Sequence, residues 1–80
     1  MGLKFTRYFL ATRQRDDRKL IELAWIEQVV NHPSRRDVQQ DRRVRLWAPV
    51  PQAAGRYLRV VLLEDEETIH NAFLDRSFKP

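Results

Sequence analysis

The residue types that could carry out a reaction lie in the second half of the chain. An imidazole, two guanidinium groups and a phenol occur there as His70, Arg59, Arg45 and Tyr57. Metal-free cleavage of RNA needs a base for a 2′-hydroxyl, a cation beside the scissile phosphate and an acid for the departing 5′-oxygen. These four residues could share those tasks and form our candidate catalytic set. A single histidine on a strand more often has a structural role, so that interpretation stays open.

Three further side chains extend this set toward a surface for nucleic acid, namely Arg43, Trp47 and Arg76. Alternation along the predicted strands places them beside the candidate catalytic set, on the side away from the core. Guanidinium groups neutralise phosphates, and Trp47 or Tyr57 could stack an unpaired base. The formal charge of +4, with arginine as twelve of the fifteen basic residues, also favours an RNA partner. A solvated surface, a surface covered by the N-terminal segment and arginine-rich codon usage are the alternative explanations.

The chain lacks the residue patterns of several enzyme classes. It has no cysteine, no pair of histidines at metal spacing, no glycine-rich phosphate loop and no nucleophile elbow. We therefore predict no metal site and no cofactor. Apolar runs such as Leu23–Ile26 are far too short to span a membrane, and the N-terminus lacks the apolar core of a secretory signal. We expect a cytoplasmic protein without membrane contact, folded as a single domain over residues 1–80.

The strongest structural pattern is a hairpin near the C-terminus. Two β-rich runs, Tyr57–Leu63 and Thr68–Leu74, flank the acidic tetrad Glu64–Glu67. A turn at the centre of the tetrad predicts a core face with four cross-strand pairs: Leu62 with Ile69, Val60 with Asn71, Leu58 with Phe73, and Arg56 with Asp75. The other face then carries Tyr57, Arg59, Val61, Thr68, His70, Leu74 and Arg76. We expect Asn71 to satisfy backbone or loop groups and Asp75 to close the hairpin as an ion pair with Arg56.

The rest of the chain predicts helices followed by a second hairpin. Residues 2–5 could form a short edge strand and residues 7–11 a helical turn, while a helix over residues 18–31 would start at an Asp16 or Asp17 cap and end before Pro33. Residues 35–40 and 42–48 alternate as strands around a turn near Asp41, and residues 49–55 read as a loop. The predicted fold is α+β, with N-terminal helices packed on a four-stranded antiparallel meander.

The long helix has more apolar residues than one interface needs. One stripe, Ile21 and Trp25 with Ile26 and Val29, could pack on the sheet. The remaining apolar residues need a second cover, and the main ones are Leu20, Leu23 and Val30. The N-terminal segment could supply that cover. A partner protein or a second copy of the chain could also bind there.

Several segments together resemble a family of small bacterial proteins of unknown function that is related to BrnT and RelE-type toxins. The specific stretches are Gly55–Val61 and Phe73–Arg76, and the likeness covers residues 5–78. The resemblance implies a RelE-like fold and a ribonuclease toxin held inactive by a cognate antitoxin. RelE-type toxins vary in their catalytic residues, so the resemblance implies only the general use of arginine, tyrosine, lysine or histidine on the sheet. The sheet lacks the lysines typical of RelE, which argues against ribosome-dependent cleavage.

These observations support two hypotheses of different classes. The first is an RNA-binding, toxin-like protein that acts as a metal-independent mRNA interferase. The alternative is a noncatalytic protein-interaction module with a degenerate toxin-like fold, whose apolar helix binds an antitoxin, another protein or a second copy of the chain. A basic, aromatic sheet surface favours the first hypothesis, and the surplus of apolar residues on the helix favours the second.

Overall fold

Two helices and five strands make up the part of the chain that the structure describes, residues 3–16 and 18–79 of a computed structural model. The elements in chain order are β1 (Lys4–Phe5), α1 (Arg7–Thr12), α2 (Leu23–Asn31), β2 (Arg35–Val38), β3 (Val44–Val50), a 3-10 turn (Pro51–Ala53), β4 (Arg56–Leu62) and β5 (Thr68–Leu74). The α+β class is therefore confirmed. Neither helix in this part of the chain is long and apolar enough to cross a bilayer.

The strands form one mixed sheet in the order β1-β5-β4-β3-β2. Strands β2 to β5 pair with their neighbours in antiparallel fashion, whereas β1 runs parallel to β5 through the pairs Lys4–Thr68 and Phe5–Ile69. The short N-terminal edge strand is thus present. The predicted four-stranded antiparallel sheet is wrong in its strand count, because β1 adds a fifth, parallel strand at one edge.

The N-terminal helices differ from the prediction in one place. Helix α1 begins after Thr6, whose hydroxyl accepts a hydrogen bond of 3.0 Å from the Phe9 amide, as an N-cap should. Helix α2 begins at Leu23 and not at Arg18, since Glu22 is extended and lacks a side-chain cap bond. Asp16 lies in a turn and Asp17 lies outside the described residues, so the predicted cap is wrong for Asp16. The helix ends at Asn31, before Pro33 as predicted.

The core lies between the helices and one face of the sheet, which we call the inner face. Helix α2 contributes Ile26 and Val29, helix α1 contributes Phe9, and the turn before α2 contributes Ile21. The predicted stripe of Ile21, Ile26 and Val29, with a partly buried Trp25, is confirmed. The sheet side of the core consists of Val44, Leu46, Ala48, Val50, Leu58, Val60, Leu62, Ile69 and Ala72.

Strand β3 continues two residues farther than predicted, through Pro49 and Val50, which pair with Tyr57 and Arg56 of β4. A proline is tolerated in this central strand because β2 pairs with β3 only as far as Trp47. The missing proline N–H therefore faces a position where β2 has ended, and the sheet loses no hydrogen bond.

An irregularity in β5 changes which residues share a face. Leu62 pairs with Ile69 as predicted, but Val61 pairs with Asn71, so His70 is an extra residue in a β-bulge. Beyond the bulge Val60 faces Ala72 and Leu58 faces Leu74, and the predicted pairs of Val60 with Asn71 and Leu58 with Phe73 are wrong. Ala72 and Leu74 consequently turn toward the core, whereas Phe73 joins the opposite face, which we call the outer face.

Both hairpin turns use left-handed residues that are not glycine. Arg42 has φ 70° and Glu66 has φ 58°. In the first turn the Arg42 amide donates to the Gln39 carbonyl and the Gln39 amide donates to the Arg43 carbonyl, so a left-handed Arg42 closes a three-residue loop without Asn-Gly. In the second turn the Asp65 carboxylate accepts hydrogen bonds from the Glu67 amide and from the amide and hydroxyl of Thr68. These bonds, led by the Thr68 hydroxyl, lower the pKa of Asp65 to about 2.

Replacing Asp65 with alanine should lower the stability of the protein at neutral pH but not in acid. The carboxylate has a lower pKa in the folded chain than its ordinary value of 3.8, so its stabilising effect is complete above that value. The effect is lost as the pH falls from about 4 through about 2, where the folded carboxyl takes up its proton. Urea unfolding of both proteins at several pH values measures this convergence. A difference that persists unchanged at the lowest pH would contradict it.

Candidate functional site

The outer face carries a row of alternating cations and rings. Cross-strand pairing places Trp47 opposite Arg59 and Arg59 opposite Phe73, across β3, β4 and β5. The guanidinium carbon of Arg59 lies 5.5 Å from the Trp47 ring centre and 5.2 Å from that of Phe73. Arg45, two residues before Trp47, lies 5.5 Å from the same indole. Cation–π attraction of this kind is strengthened where water is excluded, so the row is a packed layer.

Two carboxylates hold the arginines of this layer. Arg45 donates a hydrogen bond to Asp37 on β2, and Arg59 lies 3.8 Å from an Asp75 oxygen. The Nε atoms of Arg45 and Arg59 are buried, and neither has a hydrogen-bond acceptor among the described residues. Burial and the nearby Arg45 charge lower the pKa of Arg59, although arginine remains charged.

Asp75 ties the C-terminal residues to this layer. Its carboxylate accepts hydrogen bonds from Trp47 Nε1 at 3.0 Å and from the Ser77 hydroxyl at 2.7 Å, and its side chain is only 9% exposed. Burial by itself would raise the pKa of Asp75, but these bonds and the Arg59 charge outweigh it and lower the pKa. The predicted ion pair with Arg56 is wrong, because the bulge places Asp75 opposite Tyr57. Asp75 is nevertheless structural, as expected.

Phe78 covers the aromatic end of the layer. Its ring stacks on Trp47 at 5.0 Å and meets Tyr57 at 4.8 Å. Trp47 is consequently only 6% exposed, and its ring face is not accessible to a base. Tyr57 lies beside this cover, in a depression that it shares with Arg76 and Phe78. These two aromatic residues therefore belong to the packed part of the outer face.

A separate open depression of about 400 Å³ lies at the other end of the outer face. The guanidinium groups of Arg43 and Arg59 and the ring of His70 line it, together with Tyr8, Gln39, Val61, Asn71 and Phe73. No carboxylate is among these lining residues. Arg43 has a side chain 43% exposed and lies 3.6 Å from Asp41 outside the depression, whereas the Arg59 side chain is 24% exposed. The depression therefore combines a guanidinium held in place, that of Arg59, with a more exposed one that can adjust to a ligand, that of Arg43.

His70 is oriented from two sides. Its ring stacks on Tyr8 of α1 at 4.8 Å, and its Nδ1 lies 3.2 Å from the Thr6 hydroxyl. The Nε2 atom is the ring nitrogen that Thr6 does not engage. Burial, followed by the positive charge of Arg43, lowers the pKa of His70 from its ordinary 6.5. A lowered pKa favours the neutral imidazole, the form in which it can accept a proton, although the nearby Asp41 charge acts in the opposite direction.

The structure brings together only part of the predicted site. His70, Arg59 and Arg43 line the open depression, and Arg45 lies next to it beside Trp47. Tyr57 and Arg76 lie at the other end of the sheet. Of the residues predicted to bind a partner, Leu20 is 78% and Leu23 39% exposed, whereas Val30 packs against the core.

Five residues of the depression were not among the predicted site residues: the polar Tyr8, Gln39 and Asn71 and the apolar Val61 and Phe73. Tyr8 lies on α1, and the parallel pairing of β1 with β5 places this helix beside the outer face. No local sequence pattern predicts that pairing. Asn71 has the structural role that was expected, since its side-chain oxygen accepts bonds from the Ala72 amide and from Arg18. The bulge adds its side chain to the outer face.

Within residues 3–16 and 18–79, no group of three or more His, Asp or Glu side chains is arranged to hold an ion. The chemistry that the depression offers is that of guanidinium, imidazole, phenol and amide groups. These groups bind anions and transfer protons.

Replacing Asp75 with alanine should destabilise the protein by about 1–3 kcal/mol, since it leaves the buried Trp47 Nε1 and the Arg59 guanidinium without their acceptor. The matched control is Glu64→Ala, which removes an exposed 3.1 Å pair with Arg42. That control should change the free energy of unfolding by about 0–1 kcal/mol. Chemical denaturation of the three proteins measures both values. Equal losses for the two variants would show that Asp75 does not organise the outer face.

Comparison with known proteins places this chain in no family. No protein-family model, curated protein or solved structure matches it. The function of the open depression is therefore inferred from the side chains that line it.

Proposed function

We propose that this protein binds single-stranded RNA at the open depression of the outer face and cleaves it without a metal ion. One observation carries the proposal: Arg43, Arg59 and His70 converge on a cavity with no carboxylate in its lining. A concave surface with two guanidinium groups, whose carboxylate partners Asp41 and Asp75 lie outside the lining, attracts a phosphodiester. The formal charge of +4 adds a weaker, long-range attraction.

The two arginines would hold the phosphate and the rings would hold a base. Arg59 is fixed by Trp47, Phe73 and Asp75, so it loses little entropy when it binds an anion. Tyr8 is 48% exposed and is supported from behind by the His70 ring. An unpaired base can stack on its open face, the role that was predicted for Trp47 or Tyr57. Double-stranded nucleic acid offers no such base.

The cleavage step follows from the same arrangement. His70 Nε2 takes the proton of a 2′-hydroxyl, whose oxygen forms a bond to phosphorus while the bond from phosphorus to the 5′-oxygen breaks. Tyr8 donates its phenolic proton to that departing oxygen, the task first assigned to Tyr57. Arg43 and Arg59 stabilise the charge that develops on the phosphoryl oxygens. The products are a 2′,3′-cyclic phosphate end and a 5′-hydroxyl end.

This reaction requires His70 to keep its ring proton on Nδ1, donated to the Thr6 hydroxyl oxygen. That oxygen already accepts the Phe9 amide and has a second lone pair available. Thr6 would thus be a positioning residue that fixes the tautomer. Its own position is set by the start of α1.

We extend the proposal to the class of protein. A small α+β fold with a basic outer face supports a RelE-like, toxin-like ribonuclease of the cytoplasm, as the sequence resemblance implies. Such an enzyme would need an antitoxin to hold it inactive. The packed arginines of the sheet, Arg45 and Arg59, are guanidinium groups where RelE typically has lysines, so we expect cleavage of free RNA without the ribosome.

A second candidate is a noncatalytic interaction module, and the exposure of Leu20 at 78% and Leu23 at 39% favours it. Contiguous exposed apolar surface is normally covered by a partner. Under this candidate the outer face has only a structural role. The two candidates differ in whether purified protein cleaves RNA at all.

The pH dependence of binding and cleavage should differ. Cleavage needs neutral His70, so its rate should stay constant near pH 7 and fall as the pH drops through the lowered pKa of this histidine. Phosphate binding should instead tighten over the same range, because protonation adds a positive charge to the depression. Fluorescence anisotropy and gel-based cleavage of a labelled single-stranded RNA measure the two quantities. Parallel changes in both would exclude His70 as the base.

Two substitutions separate the binding and catalytic roles. His70→Ala should abolish cleavage and leave RNA affinity within about twofold, since binding depends mainly on the arginines. Arg43→Ala should weaken binding about fivefold, the effect of about 1 kcal/mol for a partly exposed charge. Arg15→Ala removes the same charge from an exposed turn outside the lining of the depression and is the control. Intact RNA with the unsubstituted protein, or equal effects of the two arginine variants, would contradict the proposal.

A further inference from the structure

A groove of about 430 Å³ lies between the turn before α2, the 3-10 turn and the end of β5. Its apolar lining includes Leu20, Trp25 and Leu74. Leu20 is 78% exposed although it borders a cavity that a ligand could fill. The groove does not share its lining with the RNA depression except for Phe73, whose ring lies between the two.

Positive charge surrounds this apolar lining. Arg18, Arg56 and Arg76 line the groove, and the only carboxylate there among the described residues is Asp16. Asp16 already lies 3.3 Å from Lys19. Arg56 uses its Nε to donate to the Ala53 carbonyl at 2.9 Å, which holds its guanidinium at the groove while Nη1 and Nη2 remain for a ligand. An apolar cavity with guanidinium groups at its rim fits a ligand that is both apolar and acidic.

The groove also contains an open strand edge. Strand β1 pairs with β5 only at Thr68 and Ile69, so the rest of the β5 edge has no neighbouring strand. The Asp75 amide donates to the Tyr57 carbonyl, and antiparallel alternation therefore points the Leu74 amide and carbonyl away from β4. At Ala72 the equivalent amide donates to the Asn71 side-chain oxygen, and the equivalent carbonyl accepts from Arg18. Among the described residues no group forms a hydrogen bond with the Leu74 amide or carbonyl.

From these three features we infer that the groove binds an extended, acidic segment of a partner protein, added as a strand at the β5 edge. Backbone hydrogen bonds at Leu74 would align the segment, an apolar side chain would enter the cavity beside Leu20 and Trp25, and carboxylates would meet Arg56 and Arg76. RNA fits less well, because a nucleotide cannot pair with both the amide and the carbonyl of an open strand edge as a peptide backbone does.

A second copy of this chain also fits less well. The acidic tetrad is its most acidic segment, but Glu64, Glu66 and Glu67 already pair with Arg42, Arg36 and Lys4. Asp65 is committed to the turn through Thr68. The partner is therefore a different protein, with carboxylates alternating with apolar residues. This inference is independent of the proposed activity on RNA.

The test uses the full chain and a fluorescent eight-residue peptide of alternating glutamate and leucine. We expect saturable binding by anisotropy, and none for a peptide in which lysine replaces glutamate. Charge reversal of both rim arginines, Arg56→Glu with Arg76→Glu, should weaken binding at least about tenfold. Leu20→Ser should also weaken peptide binding. This variant should fold as the original chain does, because Leu20 is exposed. Controls are Arg7→Glu, outside the groove, and Arg43→Glu in the RNA depression; both should bind the peptide as the original chain does.

Hydrogen exchange of the Leu74 amide distinguishes strand addition from nonspecific charge attraction. Binding of the acidic peptide should slow exchange at Leu74 and leave the already bonded Ala72 amide unchanged. Several results would overturn the inference: no binding of the acidic peptide, equal loss in the Arg7→Glu control, unaltered exchange at Leu74, or competition by single-stranded RNA that survives Arg43→Glu. Each is measurable whether or not the protein cleaves RNA.

Discussion

The β-bulge at His70 determines which side chains of β5 point to the inner face and which point to the outer face. Before it, Ile69 turns inward and pairs with Leu62; after it, Asn71 pairs with Val61 and every later side chain changes face. Ala72 and Leu74 enter the core, and Phe73 lies opposite Arg59. The same irregularity brings the His70 ring against Tyr8 and Thr6. One β-bulge therefore places both the core contacts of α1 and the side chains that line the open depression.

The outer face is divided by how tightly its arginines are held. Around Trp47, two arginines and Phe78 pack on the indole while Asp75 accepts its N–H, and this end is closed. At the other end Arg59 still reaches the depression that Arg43, His70 and Tyr8 border. A basic, aromatic composition thus describes both a structural layer and an accessible site. Burial and hydrogen bonding, not residue type, distinguish the two.

Several features could be predicted because their causes are local. Apolar stripes at helical spacing identified Ile21, Ile26 and Val29 as core, and Pro33 marked the end of α2. Alternation identified β4 and β5, although the predicted strand β3 ended two residues too early, at Ala48. The start of α2 and the partners of Asp75 were predicted wrongly. Arg18 contacts Asn71 and Phe73 on a distant strand, and Asp75 is recruited by Trp47 from β3, so neither outcome depends on neighbouring residues.

The sequence by itself determined the α+β class, the final hairpin with its acidic turn and the buried stripe of the helix. These follow from side-chain periodicity and turn chemistry, which act over a few residues. Only the tertiary structure decided the parallel pairing of β1 with β5, the register beyond His70 and the membership of the candidate site. The alternation of residues 69–74 fits either face, and the choice depends on burying Ala72 in the core with Phe9 while Phe73 packs against Arg59 on the outer face. Those contacts join residues more than a dozen positions apart, which no local pattern encodes.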